Sequence, residues 1–550
     1  MHIKKIYVAG ATLLLSTVLL TACKSTNSES SNTSGQLAKT QVLNWTESSN
    51  LATNDLSHAT DTLSFNVLLN TEEGLYRLDS KGTPQKALIT KDEVSKDGKT
   101  YTFELRKDAK WSNGDSVTAQ NFVDSWQRTV DPKTASQDAF YLYIIKNAQQ
   151  INQGKLPLKD LGIHADGKYK LTVTLEKPVT YFKQLLAWPL FFPINKQVVD
   201  KYGKSYGTSY QKNVYDGPFK LTGWTGTNGQ WSLVKNEKYW DKKAVHLTKI
   251  NETVVESTNT GYELFNSKKV DETLLSGIQV KNNLNNPDFV KRQPTGTSRL
   301  DLSLTKVKAF KNINIRRAIS LAIDRKQLTN DVLQDGSTPS KGFVPNGMGK
   351  NPKTGEEFAD EAYVKEGASY DLSQAKKLLA KGLKEEHLKS LSFSILGNNT
   401  DDAKNVLEFL QTSLNKLPNV HVTLTTLPFV QLIAKQDSKD YQATVKGWQS
   451  VFADPINFLD VYESTSSYNT SGWDNKQFDS YIDASENKDA NNSNKRWKDL
   501  VNAEKTLITD QGTIPLYQTA KPQLLRNNVK GVVYNPSGVP YDWKTTYITK

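Results

Sequence analysis

Cysteine is nearly absent from this 550-residue sequence, which contains a single one, Cys23. One thiol cannot form a disulfide within the chain, and it cannot supply a zinc site made of cysteines. The sequence also lacks a G-x-S-x-G elbow, an H-E-x-x-H helix, a P-loop, a G-x-G-x-x-G turn and an EF-hand loop. These absences favour binding over catalysis, so we expect no catalytic residue, no metal and no cofactor.

Histidine is also scarce, and its spacing gives no sign of a metal or nucleophile site. None of the six histidines has a second histidine three or four residues away, the spacing that places two ligands on one helix face. We expect each of them to be a surface or structural residue: His2, His58, His164, His246, His387 and His421. A catalytic pair of carboxylates stays open, because spacing alone selects no two of the 58 acidic residues.

Basic residues outnumber acidic ones, which gives a formal net charge of +12. The lysines are interleaved with aspartate and glutamate and form no basic stripe or arm, as a nucleic-acid partner would require. The pattern indicates an ordinary solvated surface. The length exceeds what one hydrophobic core usually organises, so we expect two or three domains in a monomer.

Only one apolar run approaches membrane-spanning length, a stretch of about 15 residues that begins at Ile6. It follows a short basic stretch, which gives it the shape of a signal peptide, and it ends in "LLTAC" at Cys23. This ending resembles a bacterial lipobox. The resemblance implies removal of residues 1–22 and a diacylglycerol thioether on Cys23. An ordinary signal peptide with an accidental cysteine is the alternative.

Residues 23–39 have almost no apolar content, as "KSTNSESSNTSGQ" shows. Such a segment cannot bury enough surface to fold, so we expect a flexible tether. No second apolar run of spanning length follows. The mature protein is therefore expected at the extracellular face of the cytoplasmic membrane, attached by lipid, and the single-membrane tether suggests a Gram-positive cell.

Strand and helix patterns alternate along the rest of the chain, which predicts a mixed α/β protein. Alternating apolar residues predict strands at 41–47, 101–111, 168–178 and 419–427. Apolar residues at helical spacing predict helices at 118–130, 314–333, 371–382 and 403–417. Thr118 is the expected N-cap of the first helix, and Gly382 is the expected end of the third. No fixed-period repeat is visible, which argues against a solenoid or propeller.

Several stretches occur together in one order. They are "EGLYRLD" (73–79), "KDGKTYTFELRKDAKWSNGDSVTAQNFVDSWQRTVDPKTAS" (96–136), "YDGPFKLTGW" (215–224), "NEKYWD" (236–241), "FKNINIRRAISLAIDR" (310–325), "YDLSQAKKLLAKG" (370–382) and "GW…DP" (447–455). With them the chain resembles the peptide-binding lipoproteins of ATP-driven importers, the OppA-like extracellular solute-binding family 5. The resemblance covers nearly the whole mature chain. Within the family, the chain is most similar to the oligopeptide-binding branch.

The resemblance implies an α/β, two-lobed periplasmic-binding-protein-like fold of class II, cluster C, with three domains and a hinge between the lobes. Domain I is expected to be discontinuous, at 40–75, 209–300 and 512–550. Domain II is an insert at 76–208, and domain III, the second lobe, spans 301–511. Such a protein captures a peptide between its lobes by closing on it, and it delivers the peptide to ABC permease subunits in the membrane.

The resemblance also implies which residues contact the ligand. Glu73 would accept from a ligand amide or balance a ligand cation, with a solvated strand end as the alternative. Tyr141 matches a cleft tyrosine, with core packing as the alternative. Gly447 would allow the ligand backbone to approach its strand closely. The expected ligand-binding set is Glu73, Gly74, Leu75, Tyr141, Thr273, Leu274, Leu275, Ser276, Gly447, Trp448, Gln449, Val451, Asp454, Tyr517 and Gln518.

One position departs from the family pattern. Many oligopeptide binders have Gly-Trp, two further residues and then an aspartate that pairs with the free α-amino group of the peptide. This chain has Val451 in that place, and Asp454 already fills the later acid-proline position. Removing one partner of a desolvated charge pair costs roughly 2–5 kcal/mol, so an ammonium is not expected to dock against a valine.

Three hypotheses follow from Val451. The ligand has no free amine at this place, as in a blocked or longer peptide. Alternatively, another acid holds the amine, with Glu73, Asp271 and Asp454 as candidates, and we rank this slightly above the first. Or the pocket favours an apolar or non-peptide ligand. For the protein as a whole, a pheromone or signal-peptide receptor is the alternative within the family, and a surface hydrolase or adhesin is the alternative outside it.

Overall fold

The structure is a computed structural model that describes residues 36–550. The predicted signal peptide, Cys23 and most of the predicted tether lie outside the described residues. Within 36–550, no helix has both the length and the apolar character needed to cross a bilayer.

The first sheet has four strands and joins the start of the described chain to its middle. Its order is Val42–Glu47, Lys249–Val254, Gln230–Lys235 and Phe219–Thr222. The first two strands run parallel and the other neighbours antiparallel. The helix Thr62–Thr71 packs Leu63 and Val67 into the same apolar cluster. Asp61 caps this helix by accepting from the amide of Ser64 at 2.8 Å.

The C-terminal segment returns to this first sheet. A three-stranded antiparallel sheet has the order Glu272–Leu274, Lys521–Leu525 and Phe289–Arg292. Two short pairs follow, Val529–Lys530 with Tyr547–Ile548 and Val533–Tyr534 with Tyr541–Asp542. The helices Thr258–Asn266 and Ile278–Asn283 lie in the same part of the chain. Trp543 packs edge-on against Trp45 with ring centroids 5.3 Å apart, so the last strands close on the first.

The insert has its own four-stranded antiparallel sheet, preceded by a short strand pair. The sheet order is Ile89–Val94, Thr100–Leu105, Lys170–Thr174 and Ile163–Ala165, and the pair is Tyr76–Leu78 with Pro84–Lys86. Its helices are Ala119–Val130, Ala148–Asn152, Phe182–Leu185 and Lys196–Tyr202. Trp126 is buried and donates its indole N–H to the carbonyl of Phe191 at 2.9 Å.

The second lobe is built on a six-stranded mixed sheet. Its order is Thr338–Pro339, Ile514–Gln518, Gly296–Leu302, Ala443–Gln449, Leu391–Asn398 and Val420–Leu427. Leu391–Asn398 is parallel to both of its neighbours, and the other pairs are antiparallel. Its longer helices are Ile313–Leu321, Leu372–Glu385, Asp401–Leu414, Phe429–Asp437, Lys476–Glu486 and Ser493–Thr509. Shorter ones are Arg325–Gln327, Leu328–Leu333, Phe358–Glu361, Lys365–Ala368 and Ile456–Leu459.

Two adjacent segments connect the lobes. Phe289–Arg292 leads into Gly296–Leu302, and Ile514–Gln518 leads into Lys521–Leu525. The short connections between them are bonded to each other, because Gln293 Nε2 donates to the carbonyl of Thr519 at 2.8 Å. The fold is therefore the mixed α/β, two-lobed arrangement that the sequence predicts.

Two predicted helices are wrong in detail. The helix predicted at 314–333 is broken after Leu321, because the chain turns and Asp324 caps a new segment through the amides of Lys326 and Gln327. Gly382 does not end its helix, which continues to Glu385. A Cβ at Gly382 would lie 2.6 Å from the side chain of Ile315, so this glycine permits close packing of two helices.

The strand predicted at 101–111 is also too long, because it ends at Leu105. Lys110 instead forms an isolated bridge with Ser116. The shorter predicted strand at 419–427 and the helix at 118–130 are confirmed to within one residue, at Val420–Leu427 and Ala119–Val130.

The buried Glu252 makes the stability of the first sheet depend on pH, and this dependence can be measured. It is buried on the strand Lys249–Val254, where the indole N–H of Trp231 donates to its carboxyl group. Burial raises the pKa of Glu252 from 4.5 to about 8. The folded state therefore holds a proton that the unfolded chain releases, and stability should fall as pH rises from about 4.5 to about 8.

We predict that Glu252→Gln weakens this pH dependence, because glutamine resembles the protonated acid and stays neutral. Thermal unfolding midpoints at pH 5.5 and pH 8 measure it. The variant should lose less stability between the two values than the wild type, by an amount on the order of 1 kcal/mol. An equal loss in both proteins would contradict the assignment.

Candidate ligand-binding cleft

An open sheet edge lies in the second lobe, on the strand Ala443–Gln449. One side of the strand pairs with Gly296–Leu302 along its full length, while the other side pairs with Leu391–Asn398 only at Ala443 and Thr444. In an antiparallel pair, alternate residues turn their backbone groups away from the partner.

The pairing partner of each residue identifies which backbone groups face the open edge. Ser303 donates to Gln442, and Ser450 donates to Thr295, so the even-numbered residues face the paired strand. Val445, Gly447 and Gln449 therefore face the other way. The carbonyl of Val445 accepts from Gln436 Nε2 at 3.2 Å. Among residues 36–550, no strand covers the edge at Gly447 and Gln449.

Three cavities meet at Val451, directly after this edge. Their volumes are about 230, 490 and 20 Å³. The 230 Å³ cavity is lined by Thr60, Asp61, Thr62, Phe65, Asp138, Tyr141, Trp188, Gln449, Ser450, Val451, Gly538 and Val539. The residues from 60 to 188 belong to the first lobe and those from 449 to 451 to the second, so the cavities lie between the lobes.

Contacts between the lobes surround these cavities. The ring of Tyr181 stacks on Phe452 with centroids 4.0 Å apart and planes 7° from parallel. Gln184 Oε1 accepts from the amide of Ala453 at 2.8 Å. Further out, Lys177 Nζ lies 2.6 Å from a carboxylate oxygen of Glu486. The two lobes are thus in contact in this structure.

The structure brings three of the predicted residues together around the 230 Å³ cavity: Tyr141, Gln449 and Val451. Tyr141 packs edge-on against Trp188 with centroids 4.7 Å apart, and burial raises its pKa. The adjoining Trp448 donates its indole N–H to the carbonyl of Asn457 at 2.7 Å. This bond fixes the end of the strand that carries Gly447.

The stretch from Glu73 to Leu75 lies behind the cleft, contrary to expectation. Glu73 is fully buried and accepts from Arg77 Nε at 2.9 Å and from the hydroxyl of Tyr239. Arg77 in turn pairs with Asp542 at 2.6 Å. The carboxylate of Glu73 thus neutralises an internal arginine and is not available to a ligand cation.

The neighbours of Glu73 have packing roles. A Cβ at Gly74 would lie 2.2 Å from the ring of Phe192, so only glycine fits without displacing that ring. Leu75 is completely buried in the core.

The stretch from Thr273 to Ser276 is only partly at a cavity. Leu274 lines a further cavity of about 300 Å³, together with Glu272 and Lys521. Thr273 and Leu275 are buried, and the hydroxyl of Ser276 bonds that of Thr258 at 2.9 Å. This cavity shares Asp61 and Thr62 with the 230 Å³ cavity, so the two adjoin. Burial raises the pKa of Glu272 to about 8.

Tyr517 and Gln518 lie on the strand that leads between the lobes, outside the three cavities at Val451. Gln518 holds a neighbouring loop, because its Oε1 accepts from the amide of Asn346 at 3.3 Å and its Nε2 donates to the carbonyl of Pro294 at 3.3 Å. Tyr517 pairs in register with Ser298 and Pro339. Both have structural contacts near the hinge.

Each acid considered as a substitute for position 451 has partners of its own. Asp454 forms two hydrogen bonds of 2.8 Å with Arg496. Asp271 accepts from the amide and the side chain of Asn44 at 2.7 and 3.0 Å. Glu73 is occupied by Arg77. None of the three lines a cavity at Val451.

Several lining residues were missed by sequence reasoning, chiefly Ser537, Gly538 and Val539 near the C-terminus. Gly538 has a positive φ of 71° and donates its amide to the carbonyl of Ser450 at 3.0 Å. The sequence "NPSGVP" predicts a turn, but a turn signal does not tell which strand end the turn will contact. Within residues 36–550, no group of three or more potential ligands is placed to hold a metal ion.

A double-mutant cycle tests the structural role of Asp454. We predict that Asp454→Asn destabilises the protein by about 3–5 kcal/mol, because it leaves the largely buried Arg496 without its charge partner. Arg496→Met should cost a similar amount, and the double variant should cost clearly less than the sum of the two. Chemical unfolding of the four proteins measures the coupling. Additive losses would show that the pair does not act as a unit.

Comparisons with known proteins place this geometry in a family. Residues 83–470 match the model of bacterial extracellular solute-binding proteins, family 5. The chain is 36% identical to the dipeptide-binding protein of Lactococcus lactis subsp. cremoris, over 99% of both chains. It is 34% identical to the oligopeptide-binding protein OppA of Bacillus subtilis, over 88% of both.

Solved structures agree with the sequence comparisons. The peptide-bound OppA of Listeria monocytogenes has a TM-score of 0.80 and 38% identity, covering 93% of this chain and all of that one. The pheromone receptor PrgZ has a TM-score of 0.80 and 36% identity with the same coverage. The two-lobed class II fold is thereby confirmed, and the chain belongs to the bacterial extracellular solute-binding proteins of family 5.

Proposed function

We propose that this protein captures peptides between its lobes, without catalysis, and passes them to an ABC importer. The observation that carries the proposal is the open edge at Gly447 and Gln449, which leads into cavities between the lobes. Unpaired backbone groups on a strand edge accept an extended peptide as an additional strand. Such binding depends on the peptide backbone and is therefore tolerant of sequence.

The cavities on either side of Val451 are suited to the side chains of such a peptide. The volume of about 490 Å³ lies within the range of pockets that hold small ligands, roughly 300–1,000 Å³, and that of about 230 Å³ lies just below it. Two relatives support a peptide as the ligand: the protein from L. lactis is a dipeptide-binding protein, and the Listeria OppA structure contains a bound peptide.

Attachment to the membrane and delivery are parts of this proposal that the sequence supports. We propose that Cys23 carries the lipid and that residues 23–39 let the lobes reach permease subunits in the same membrane. The protein acts as a monomer. The domains proposed from the sequence are 40–75, 209–300 and 512–550, then 76–208, then 301–511. Because the strands Gly296–Leu302 and Ile514–Gln518 pair within the second-lobe sheet, we propose that the chain passes between the lobes near 293–295 and 519–520, a few residues within those domain I bounds.

A receptor for one apolar signal peptide is the second candidate. Val451 puts an apolar side chain where the family pattern has an acid, and the pheromone receptor PrgZ has the same TM-score, 0.80, as the peptide-bound OppA of Listeria monocytogenes. Selectivity distinguishes the two functions, because an importer binds many sequences and a signal receptor binds few.

The first experiment is mass spectrometry of ligands released from the purified protein, followed by calorimetry with the peptides found. A mixture of short peptides would support the importer, and one dominant peptide would support the signal receptor. Absence of bound peptide, combined with no heat of binding from a mixed hexapeptide library, would contradict both.

Lobe closure gives a sharper prediction. Tyr181→Ala removes the ring stacked on Phe452, a contact made between the lobes. Aromatic pairs contribute about 0.5–1.5 kcal/mol, so the closed state is less populated and peptide affinity should fall about 3- to 10-fold. Calorimetry measures the affinity, and small-angle scattering measures the lobe separation.

Tyr370→Ala is the matched control, because Tyr370 is an exposed tyrosine of the second lobe with 44% of its surface accessible. It should leave affinity and lobe separation unchanged. If Tyr181→Ala binds peptide as tightly as this control, the stacked pair does not contribute to closure.

A further inference from the structure

One carboxylate faces the 230 Å³ cavity without a partner, that of Asp138. It lies in the insert, directly before the turn Ala139–Ile144, and does not cap that turn. Among residues 36–550, no hydrogen-bond donor or cation is paired with its oxygens. An acid in this position differs from the other acids of the cleft, which are already engaged.

The other acids can be taken one at a time. Asp61 lines the same cavity, but its carboxylate caps a helix by accepting from Ser64. Asp542 lines the smallest cavity and pairs with Arg77 at 2.6 Å. The charge of Asp542 is thus neutralised by an arginine, and Asp61 has one carboxylate oxygen committed to its helix, whereas both oxygens of Asp138 are available.

On the second lobe, Glu357 lines the 490 Å³ cavity, but Lys350 Nζ lies 3.3 Å from its carboxylate. Asp460 is the remaining competitor on that lobe. Burial, and then the charge of Glu486, raise the pKa of Asp460 well above its ordinary value, which favours its neutral form. It also lines none of the three cavities at Val451. Asp138 is therefore the carboxylate better placed to meet a ligand.

The surroundings of Asp138 place it opposite the open strand edge. The neighbouring Phe140 meets Tyr468 of the second lobe with centroids 6.5 Å apart. Tyr468 packs edge-on against Trp448 at 5.0 Å. Burial and then the Asp138 charge raise the pKa of Tyr468, so the carboxylate acts across the junction of the lobes.

We propose that Asp138 binds the α-ammonium group of the peptide, replacing from the first lobe the acid that is missing at Val451 in the second. This inference rests on the proposed peptide-binding function. The two positions line the same cavity, so a ligand amine held there remains next to the strand edge at Gln449. The contact is a charge-assisted hydrogen bond, in which the ammonium donates and the carboxylate accepts.

The cost of leaving Asp138 unpaired agrees with this role. Burial raises the pKa of Asp138 to about 6, which means that the surroundings disfavour the charged form. At neutral pH the group is still mainly a carboxylate, and an ammonium beside it would offset the lost hydration.

The test compares a mixture of hexapeptides with free N-termini and the same mixture N-acetylated, by calorimetry near pH 7.5. The wild type should bind the free peptides about 10- to 100-fold more tightly. Asp138→Asn should remove this preference while keeping the wild-type unfolding midpoint. Asp460→Asn is the matched control and should keep the preference.

A relocation variant guards against indirect effects. In Asp138→Asn combined with Val451→Asp, the acid returns to the second lobe, and the preference for free amines should reappear, which a misfolded protein cannot produce. Retention of the preference in Asp138→Asn, its loss in Asp460→Asn, or equal binding of both mixtures by the wild type would each overturn the proposal. If the wild type binds neither mixture, the peptide-binding function itself fails and the inference with it.

Discussion

The structure depends on a strand edge that the protein leaves unpaired at the place where its lobes meet. Backbone N–H and C=O groups need partners wherever water is excluded. Gly447 and Gln449 are exposed while the lobes are in contact, so it is a ligand enclosed between the lobes that displaces water from this edge. The contacts that hold the lobes together, such as Tyr181 on Phe452, are made beside the same edge. Closure is therefore most favourable when an extended chain satisfies these groups.

The unpaired strand edge also determines which lobe can supply a carboxylate for the ligand. A carboxylate on the strand itself would fix the start of a bound peptide relative to that strand, but Val451 and the engaged Asp454 leave this lobe without a free acid there. A carboxylate on the insert, such as Asp138, acts from the opposite side. Binding an amine there joins the ligand to both lobes, which couples recognition of the N-terminus to closure.

Much of the fold could be predicted from the sequence, because periodicity and caps are local. Thr118 precedes its helix as predicted, and Asn121 Oδ1 accepts from its amide at 2.9 Å. Local patterns failed where tertiary packing decides, as at Gly382 against Ile315. They also failed in the cleft. In the sequence Glu73 has the pattern of a polar strand end, but in the structure its carboxylate is paired with the buried Arg77. No local sequence pattern indicates Asp138, because its role depends on lining the cleft without a partner, which only the tertiary structure shows.

The position of Val451 has a consequence for how ligand preference can change. Its side chain borders all three cavities of the cleft and separates them. A smaller residue would join these cavities, and a larger one would separate them further. Ser450, the preceding residue, donates its amide to the carbonyl of Thr295 in the hinge connection at 3.2 Å. A substitution at position 451 that moves only the side chain therefore changes which ligands fit, whereas one that shifts the backbone also reaches the hinge.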